Sequence, residues 1–330
     1  MKRLLMMLLA ATMFGGIITA QNVTFKFEDG TLANAAFRQK MEYRISRLLS
    51  ELTKASATNH QFTEQELTAL NLTPVASKRL SKLWENLHFA CDYTSNVEKC
   101  LRDVNGYEVR GILITLQPTA DNYKGSTSRE LAISFAPDGL ITGVNMTMEN
   151  NSYQDIINNG MDVTDTRRRL EILKFVEDFR SYYDEKDLEA LRNIYSEDAL
   201  IITGKVVQRK NLGSDQARMK PEIEYSKLNK EQYMSRLATT FRSNKFIKVK
   251  FDDITVRRHG AKEGFYAVTL RQDWQSSNYS DNGYVFLLWE FKDDNDEHPI
   301  VHVRTWQPDR IGAKPLAKKD IFTIDDIFIP

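Results

Sequence analysis

The sequence predicts an α+β protein in two parts, because helical and strand periodicities follow each other in a similar order in each half of the chain. The first half is predicted to form two helices and then a strand meander. The second half is predicted to form two helices, a strand, a third helix and four further strands. Because runs of strands follow runs of helices, we expect antiparallel sheets with helices packed on them.

The composition is that of an ordinary folded protein. The 330 residues are 42% hydrophobic and 27% charged, which excludes a mainly disordered chain. The 45 basic residues are matched by 45 acidic ones, so the formal net charge is zero at pH 7. A neutral chain offers no general positive field to nucleic acid, and we expect no nucleic-acid partner.

The first 20 residues have the pattern of a secretory signal peptide. Lys2 and Arg3 precede an uncharged apolar run from Leu4 to Met13, and Ala20 supplies the small residue that a cleavage site needs. We therefore predict a signal peptide at residues 1–20 and export to the periplasm or the extracellular space. The apolar run is short for a bilayer-spanning helix, and an uncleaved anchor is the alternative.

Export changes the interpretation of the two cysteines, Cys91 and Cys100. In an oxidising compartment two cysteines at this spacing can pair. We predict a disulfide that closes the loop between them and stabilises the fold by about 2–3 kcal/mol in the chain-entropy model. The alternative is a pair of buried thiols.

The predicted N-terminal α+β domain spans residues 21–150. Apolar residues at steps of three and four from Phe37 to Leu52 indicate its first helix. Thr73 and Pro74 are a capping residue and a first-turn proline, and they predict the start of a second helix. Strands are predicted at 107–117, 130–135 and 140–148, the last two joined by a Pro-Asp-Gly turn.

A segment rich in Asn, Asp and Gly at 151–165 is the predicted linker to a second domain at 166–308. The first helix of this domain is expected to begin near Asp165, and Asp187 and Asn229 are expected to cap two further helices. Five strands are predicted, with a polar loop at 208–228 after the first of them: 200–207, 246–257, 265–275, 284–292 and 300–307.

Two phrases in the second half resemble the nuclear transport factor 2-like superfamily, also described as the SnoaL-like or cystatin-like cone. They are ILKFVEDFRSYYDEKDLEALRNIYSEDALIITG and GYVFLLWEFKDDNDEHPIVHVRTWQP, within residues 166–307. The resemblance implies helices packed on a curved antiparallel sheet that forms a cone with a pocket, preceded by a smaller helix-helix-meander domain. The whole chain is also similar to a set of exported Bacteroidetes proteins, through LWENLHFACDY and VTDTRRR.

The same resemblance implies where a function would be found. Enzymes of the superfamily hold an acid or base inside the cone, and the candidates here are Asp198, Asp273 and His302. Strand alternation puts His302 on the same face as Arg304 and Trp306. The pocket or interface residues are predicted to be Tyr182, Tyr183, Trp274, Trp289, Arg304 and Trp306.

No catalytic dyad of the superfamily is matched, so three functions stay open. The first is binding of a small apolar or aromatic ligand, or protein interaction, without turnover. The second is a lyase or isomerase that uses an acid or base in the cone. The third is an envelope assembly or scaffold role, with an envelope protein or a homodimer through the sheet face as partner.

We expect neither a metal nor a cofactor. His298 and His302 have the spacing of a helical metal pair, but Pro299 opens a strand between them. Four strand residues span about 13 Å. Two imidazoles that far apart cannot both bind one zinc ion at about 2 Å.

The C-terminal tail, residues 309–330, is apolar at its end. Free in water it would expose a large apolar surface, so we expect it to dock on its own chain or to bind a partner. Its apolar residues are Ile321, Phe322, Ile324, Ile327, Phe328 and Ile329.

Overall fold

The computed structural model describes most of the chain and divides its apolar core into two clusters. The described residues are 22–28, 30–91, 95–97, 100–102, 106–118, 127–148, 166–210, 219–293 and 298–327. The predicted signal peptide and the predicted linker lie outside them. One cluster is built from residues between Val23 and Met146, and the other from residues between Met148 and Val301.

The N-terminal half packs helices against an antiparallel sheet. Its helices are α1 (Ala35–Thr58), α2 (Glu64–Ala69) and α3 (Pro74–Asn86). Its strands are β1 (Phe25–Phe27), β2 (Leu87–Ala90), β3 (Ser95–Val97), β4 (Cys100–Arg102), β5 (Tyr107–Pro118), β6 (Ser128–Phe135) and β7 (Ile141–Met146). In the sheet, β2 and β4 share one edge of β5, and β6 and β7 follow on its other side.

The apolar stripe and the helix cap predicted for this half are both present in the structure. The α1 stripe is fully buried at Met41, Ile45 and Leu48. At the start of α3, the Thr73 hydroxyl accepts a hydrogen bond from the backbone N–H of Ala76, and Pro74 occupies the first turn. Helix α2 and the strands β2 to β4 are too short to show a period in the sequence.

The predicted disulfide is not formed in the structure. Cys91 follows Ala90, which pairs with Thr115, whereas Cys100 pairs with Val109 on the same edge of β5. The two cysteines therefore stand about five residues apart along β5, or roughly 15 Å. A disulfide requires Cα atoms within about 7 Å.

In the C-terminal half, helices pack on a curled six-stranded sheet. The helices are α4 (Thr166–Asp184), α5 (Leu188–Ile194) and α6 (Lys230–Ser243). The strands are β8 (Tyr195–Lys210), β9 (Met219–Leu228), β10 (Ile247–Arg258), β11 (Phe265–Ser276), β12 (Ser280–Glu290) and β13 (Ile300–Pro308).

The strand order is β10-β11-β12-β13-β8-β9, antiparallel except where β13 runs parallel to β8. The predicted α+β class, with helices on a curved sheet, is confirmed. Asp187 and Asn229 cap α5 and α6, and each side chain accepts a backbone N–H in the first turn.

One predicted loop is partly a strand. Residues 208–228 were expected to form a polar loop, but β9 pairs with β8 from Met219↔Lys210 to Leu228↔Ile201. β9 is an edge strand, and charged residues are common on edges because they oppose aggregation. Its many charged side chains therefore resemble those of a loop.

The tail docks on the outer face of the C-terminal sheet, the face directed away from the helices. Phe322, Ile324 and Ile327 pack against an apolar patch, and the Phe322 N–H donates to Gln307 Oε1 at 2.8 Å. The patch consists of Ala267, Phe286, Leu288 and Val303. A homodimer through this part of the sheet would have to displace the tail. The predicted tail residues 328 and 329 lie outside the described residues.

The two halves are joined by a buried ion pair. The Arg110 guanidinium, from β5, binds both carboxylate oxygens of Glu177 on α4, one of them at 2.9 Å. Glu177 also accepts the backbone N–H of Met148 at 2.9 Å. Arg180, one turn along α4, donates to the carbonyls of Thr147 and Met146. Helix α4 is thus bonded to the end of the N-terminal sheet.

A second set of charges crosses the junction between α3 and the end of α4. Arg79 contacts Asp178 at 3.1 Å and Glu185 at 3.5 Å, and Lys82 contacts Asp187 at 2.7 Å. Burial raises the pKa of Glu185 to about 7, with Arg79 opposing and Asp178 and Asp187 reinforcing that shift. The carboxyl group therefore takes up a proton near neutral pH.

Removing the tail tests its docking. Deletion of residues 320–330 removes Phe322, Ile324 and Ile327 and uncovers the apolar patch beneath them. We expect this to lower the free energy of unfolding by about 3 kcal/mol. The melting temperature should fall accordingly in a calorimetric scan. The control, Asp325→Ala, removes only an exposed ion pair with Arg257 and should cost less than about 1 kcal/mol. An unchanged melting temperature after the deletion contradicts the docking.

The free energy of unfolding should rise as the pH falls from 8 to 5, because Glu185 at the junction becomes protonated in the folded protein. The pKa of Glu185 is about 7 in the fold against an ordinary 4.5, so the folded protein binds the proton first as the pH falls between these values. Relative to Glu185→Gln, the free energy of unfolding of the wild type should rise by about 2–3 kcal/mol from pH 8 to pH 5. Denaturant unfolding of both proteins measures this, with the exposed Glu231→Gln as control. If the difference in free energy of unfolding between the wild type and Glu185→Gln is the same at pH 8 and pH 5, the prediction is wrong.

Candidate functional site

The inner face of the C-terminal sheet is fully buried toward the end of β12 and half-buried toward its start. Val285, Leu287 and Trp289 of β12 point inward and are fully buried. Toward the start of β12, Asp281 pairs with Trp274 of β11, so both side chains also lie on the inner face. They are only half-buried, as is Trp306 of β13. This more exposed end of the inner face is called the mouth of the cone.

Arg304 is the charged group inside the cone. It stands on β13 opposite the inward-pointing Leu287, and it is only 5% exposed. Its guanidinium carbon lies 5.2 Å from the ring centroid of Tyr233. Its Nε is buried and has no hydrogen-bond partner, and Arg304 forms no ion pair among the described residues.

Three buried tyrosines surround this arginine. The hydroxyls of Tyr183, from α4, and Tyr233, from α6, are 2.8 Å apart. The Tyr195 ring lies 5.9 Å from that of Tyr233, and its buried hydroxyl has no hydrogen-bond partner. Burial raises the pKa of both Tyr195 and Tyr233. The hydroxyls of Tyr195 and Tyr233 are therefore neutral and can donate hydrogen bonds.

The arginine keeps its charge in this setting. Burial opposes ionisation, but the oxygens of Tyr233, Tyr183 and Tyr195 hold the pKa of Arg304 above its ordinary value. A guanidinium remains protonated in proteins in any case. The centre of the cone is thus positive, with neutral hydroxyls but no carboxylate in direct contact among the described residues.

Two tryptophans and one carboxylate form the rim of the mouth. The Trp274 ring contacts that of Tyr183 edge to face, with centroids 5.7 Å apart. The Trp306 indole lies across Gly283, where a Cβ would come within 2.8 Å of the ring. Asp281 accepts the Tyr279 hydroxyl at 2.9 Å. Burial raises the pKa of Asp281, and the Tyr279 hydrogen bond and the charge of Arg304 oppose that shift.

A β-bulge separates His302 from Arg304. Leu288 pairs with Val303, but the next residue, Trp289, pairs with Val301, so His302 is an extra residue in β13. The His302 ring lies against Phe265 on the outer face, and its Nε2 is 3.0 Å from Glu290 Oε2. The expectation that His302 shares a face with Arg304 and Trp306 is therefore wrong.

The two other acid–base candidates also lie outside the cone. Between Tyr195 and Leu200, β8 has extra residues relative to β13, and Asp198 in this bulge is exposed. Asp273 lies beside Arg271 on the outer face, because its neighbours Gln272 and Trp274 point inward. Burial raises the pKa of Asp273, the charges of Asp252 and Asp309 reinforce that shift, and the charges of Arg271 and Lys250 oppose it.

The predicted lining residues divide between two places. Tyr182 points to the junction, where the Arg79 guanidinium lies 5.3 Å from its ring, whereas Tyr183 points into the cone. The other predicted residues that point into the cone are Trp274, Trp289, Arg304 and Trp306. Sequence reasoning did not select Tyr195, Tyr233 or Asp281 for the site. The helical spacing of apolar residues in α6 predicts that Tyr233 is buried. Asp281 lies on the inner face only because of its pairing with Trp274, which the sequence does not reveal.

Within the described part of the chain, no group of three or more His, Cys, Asp or Glu side chains could hold a metal ion. Across those residues, no helix has both the length and the apolar character needed to cross a bilayer.

The fold defines the chain as an α+β protein with helices packed in a curled sheet, and comparisons add only weak likenesses. No protein-family model matches the chain, and no curated protein matches it. A solved structure from Bdellovibrio bacteriovorus is 14% identical, with a TM-score of 0.32 over 68% of this chain and 76% of that one.

Two further solved structures are described as nuclear transport factor 2-like. The one from Cytophaga hutchinsonii is 12% identical, with a TM-score of 0.31 over 43% of this chain and 98% of that one. The one from Rhodospirillum rubrum is 12% identical, with a TM-score of 0.29 over 42% and 97%. Likenesses this weak carry no argument about activity or ligand.

Proposed function

We propose that this protein binds a small carboxylate in the cone of its C-terminal half, without turnover. The observation that carries the proposal is Arg304, a buried guanidinium with a free Nε and no ion pair among the described residues. The tyrosine oxygens favour the charge, but the buried Nε–H has no acceptor, and a buried donor without a partner costs about 1–3 kcal/mol. A bound carboxylate would supply that acceptor together with a negative charge.

The surroundings suit such a ligand. A guanidinium binds a carboxylate through two parallel hydrogen bonds, and here the Tyr195 hydroxyl is a further donor without a partner. Trp274 and Trp306 at the mouth offer aromatic surface to the apolar part of the ligand. A few convergent polar groups at the base of an otherwise apolar recess are typical of small-molecule sites.

The proposal also includes export of the protein and membership of a superfamily. The signal-peptide pattern of residues 1–20 supports an exported, periplasmic or extracellular binding protein. The quoted phrases and the strand order support membership of the nuclear transport factor 2-like superfamily for residues 166–307. A lyase or isomerase acting through Asp198, Asp273 or His302 is not favoured, because those side chains lie outside the cone.

Replacing the arginine tests the proposal. Arg304→Met should abolish binding of octanoate, which raises the melting temperature of the wild type when present well above its Kd. The ligand-free variant should melt close to the wild type, because methionine fills a similar volume and leaves no buried Nε–H without an acceptor. Thermal-shift titration measures both effects. Arg304→Lys keeps the charge without the planar fork, and should bind octanoate more weakly.

The matched control is Arg271→Met on β11, since Arg271 lies on the outer face and is 38% exposed. It should leave octanoate binding unchanged. Equal octanoate binding by the wild type and Arg304→Met contradicts the proposal, and so does a wild type that octanoate does not stabilise.

A further inference from the structure

A cavity of about 360 Å³ lies beside helix α4, between α4, α5 and the first residues of β13. Phe175, Asp178 and Tyr182 line it from α4. They recur at steps of three and four residues, so one face of the helix forms a wall about two turns long. Tyr182 points to the junction, whereas its neighbour Tyr183 points into the cone. The cavity is therefore separate from the interior of the cone.

The walls of this cavity are apolar and its rim is polar. Phe175 is 6% exposed and Tyr182 is half-buried, so two aromatic rings form part of the wall. The exposed side chains of Lys174 and Asn193 form the rim. An apolar cleft of this volume with a few polar groups is typical of a small-molecule site. The other apolar residues of the wall are Ala190, Ile194, Pro299 and Ile300.

The charge of Lys174 decides which ligands the cavity favours. Lys174 forms no ion pair among the described residues. Asp178, one turn further along α4, is already bound by the Arg79 guanidinium at 3.1 Å. Arg79 also contacts Glu185 at 3.5 Å, but that carboxyl takes up a proton near neutral pH. His298, which also lines the cavity, can add positive charge but no negative charge. An anion is therefore favoured at the rim.

We propose that this cavity is a second ligand site, and that its ligand is a small aromatic carboxylate. The Lys174 ammonium donates to the carboxylate at the rim, and the ring of the ligand lies against Phe175 and Ile194. One lysine balances one negative charge, so a carboxylate fits better than a phosphate group, which carries nearly two charges at pH 7. The inference does not rest on the proposed function, because its binding groups lie outside the cone.

Three probes that share one ring test the charge that the cavity prefers. They are the anion indole-3-acetate, its neutral amide indole-3-acetamide and the cation tryptamine, each titrated into the full-length protein and followed by NMR. We expect indole-3-acetate to bind about fivefold more tightly than the amide, a modest gain because Lys174 is exposed. Tryptamine should bind most weakly. The inference is wrong if indole-3-acetate does not bind, or binds no more tightly than either of the other probes.

A lysine variant tests the charged contact. Lys174→Met should remove the preference for indole-3-acetate over its amide. The matched control is Lys205→Met, since Lys205 is also exposed. It lies on β8 beyond Thr203, which pairs with Trp306, and so is at the other end of β13 from the cavity. An unchanged preference in Lys174→Met contradicts the contact.

Two further variants locate the bound ring. Ala190→Leu fills the cavity from α5 without removing a polar group, and should weaken binding of indole-3-acetate by tenfold or more. Its melting temperature should stay close to that of the wild type, because leucine is a good helix former. Arg304→Met should bind indole-3-acetate as the wild type does. If Ala190→Leu still binds this probe fully, or if Arg304→Met loses it, the cavity is not the site, whatever the result with octanoate.

Discussion

A single extra residue in β13 decides what the cone contains. Because His302 is bulged, Val301 and Arg304 both point inward, whereas in an unbroken strand they would lie on opposite faces. The bulge places a guanidinium among the rings of Tyr183 and Tyr233, and puts the imidazole outside against Phe265. The interior of the cone therefore carries a guanidinium among tyrosine hydroxyls, whereas the three acid–base candidates lie outside it.

Helix α4 connects the interior of the cone to the rest of the molecule. Tyr183 points into the cone, and the adjacent Tyr182 points to Arg79 of the N-terminal half. Glu177, on the same helix, holds Arg110 of β5 in a buried bidentate pair. Breaking such a pair leaves a buried charge and is strongly destabilising. The N-terminal half thus fixes the helix that supplies one wall of the site.

The sequence predicts what depends on local period and capping, and misses what depends on register. The stripe of α6 and the Asn229 cap were readable because they recur at helical spacing. The bulge at His302 has no local signature in the sequence. Strict alternation along β13 therefore assigns His302 to the same face as Arg304, whereas the extra residue puts them on opposite faces. Likewise the spacing of Cys91 and Cys100 suggested a disulfide, whereas their pairing with β5 keeps them apart. Asp281 joins the site only through its partner strand.

The free Nε of Arg304 is the atom on which the account depends most, and it can be observed directly. Nitrogen-15 NMR of arginine side chains, assigned with Arg304→Lys, follows this Nε–H while octanoate is added. Binding of the carboxylate predicts a downfield shift and slower hydrogen exchange, because the group gains an acceptor. An unchanged Nε–H signal at octanoate concentrations that stabilise the protein would contradict a carboxylate at Arg304.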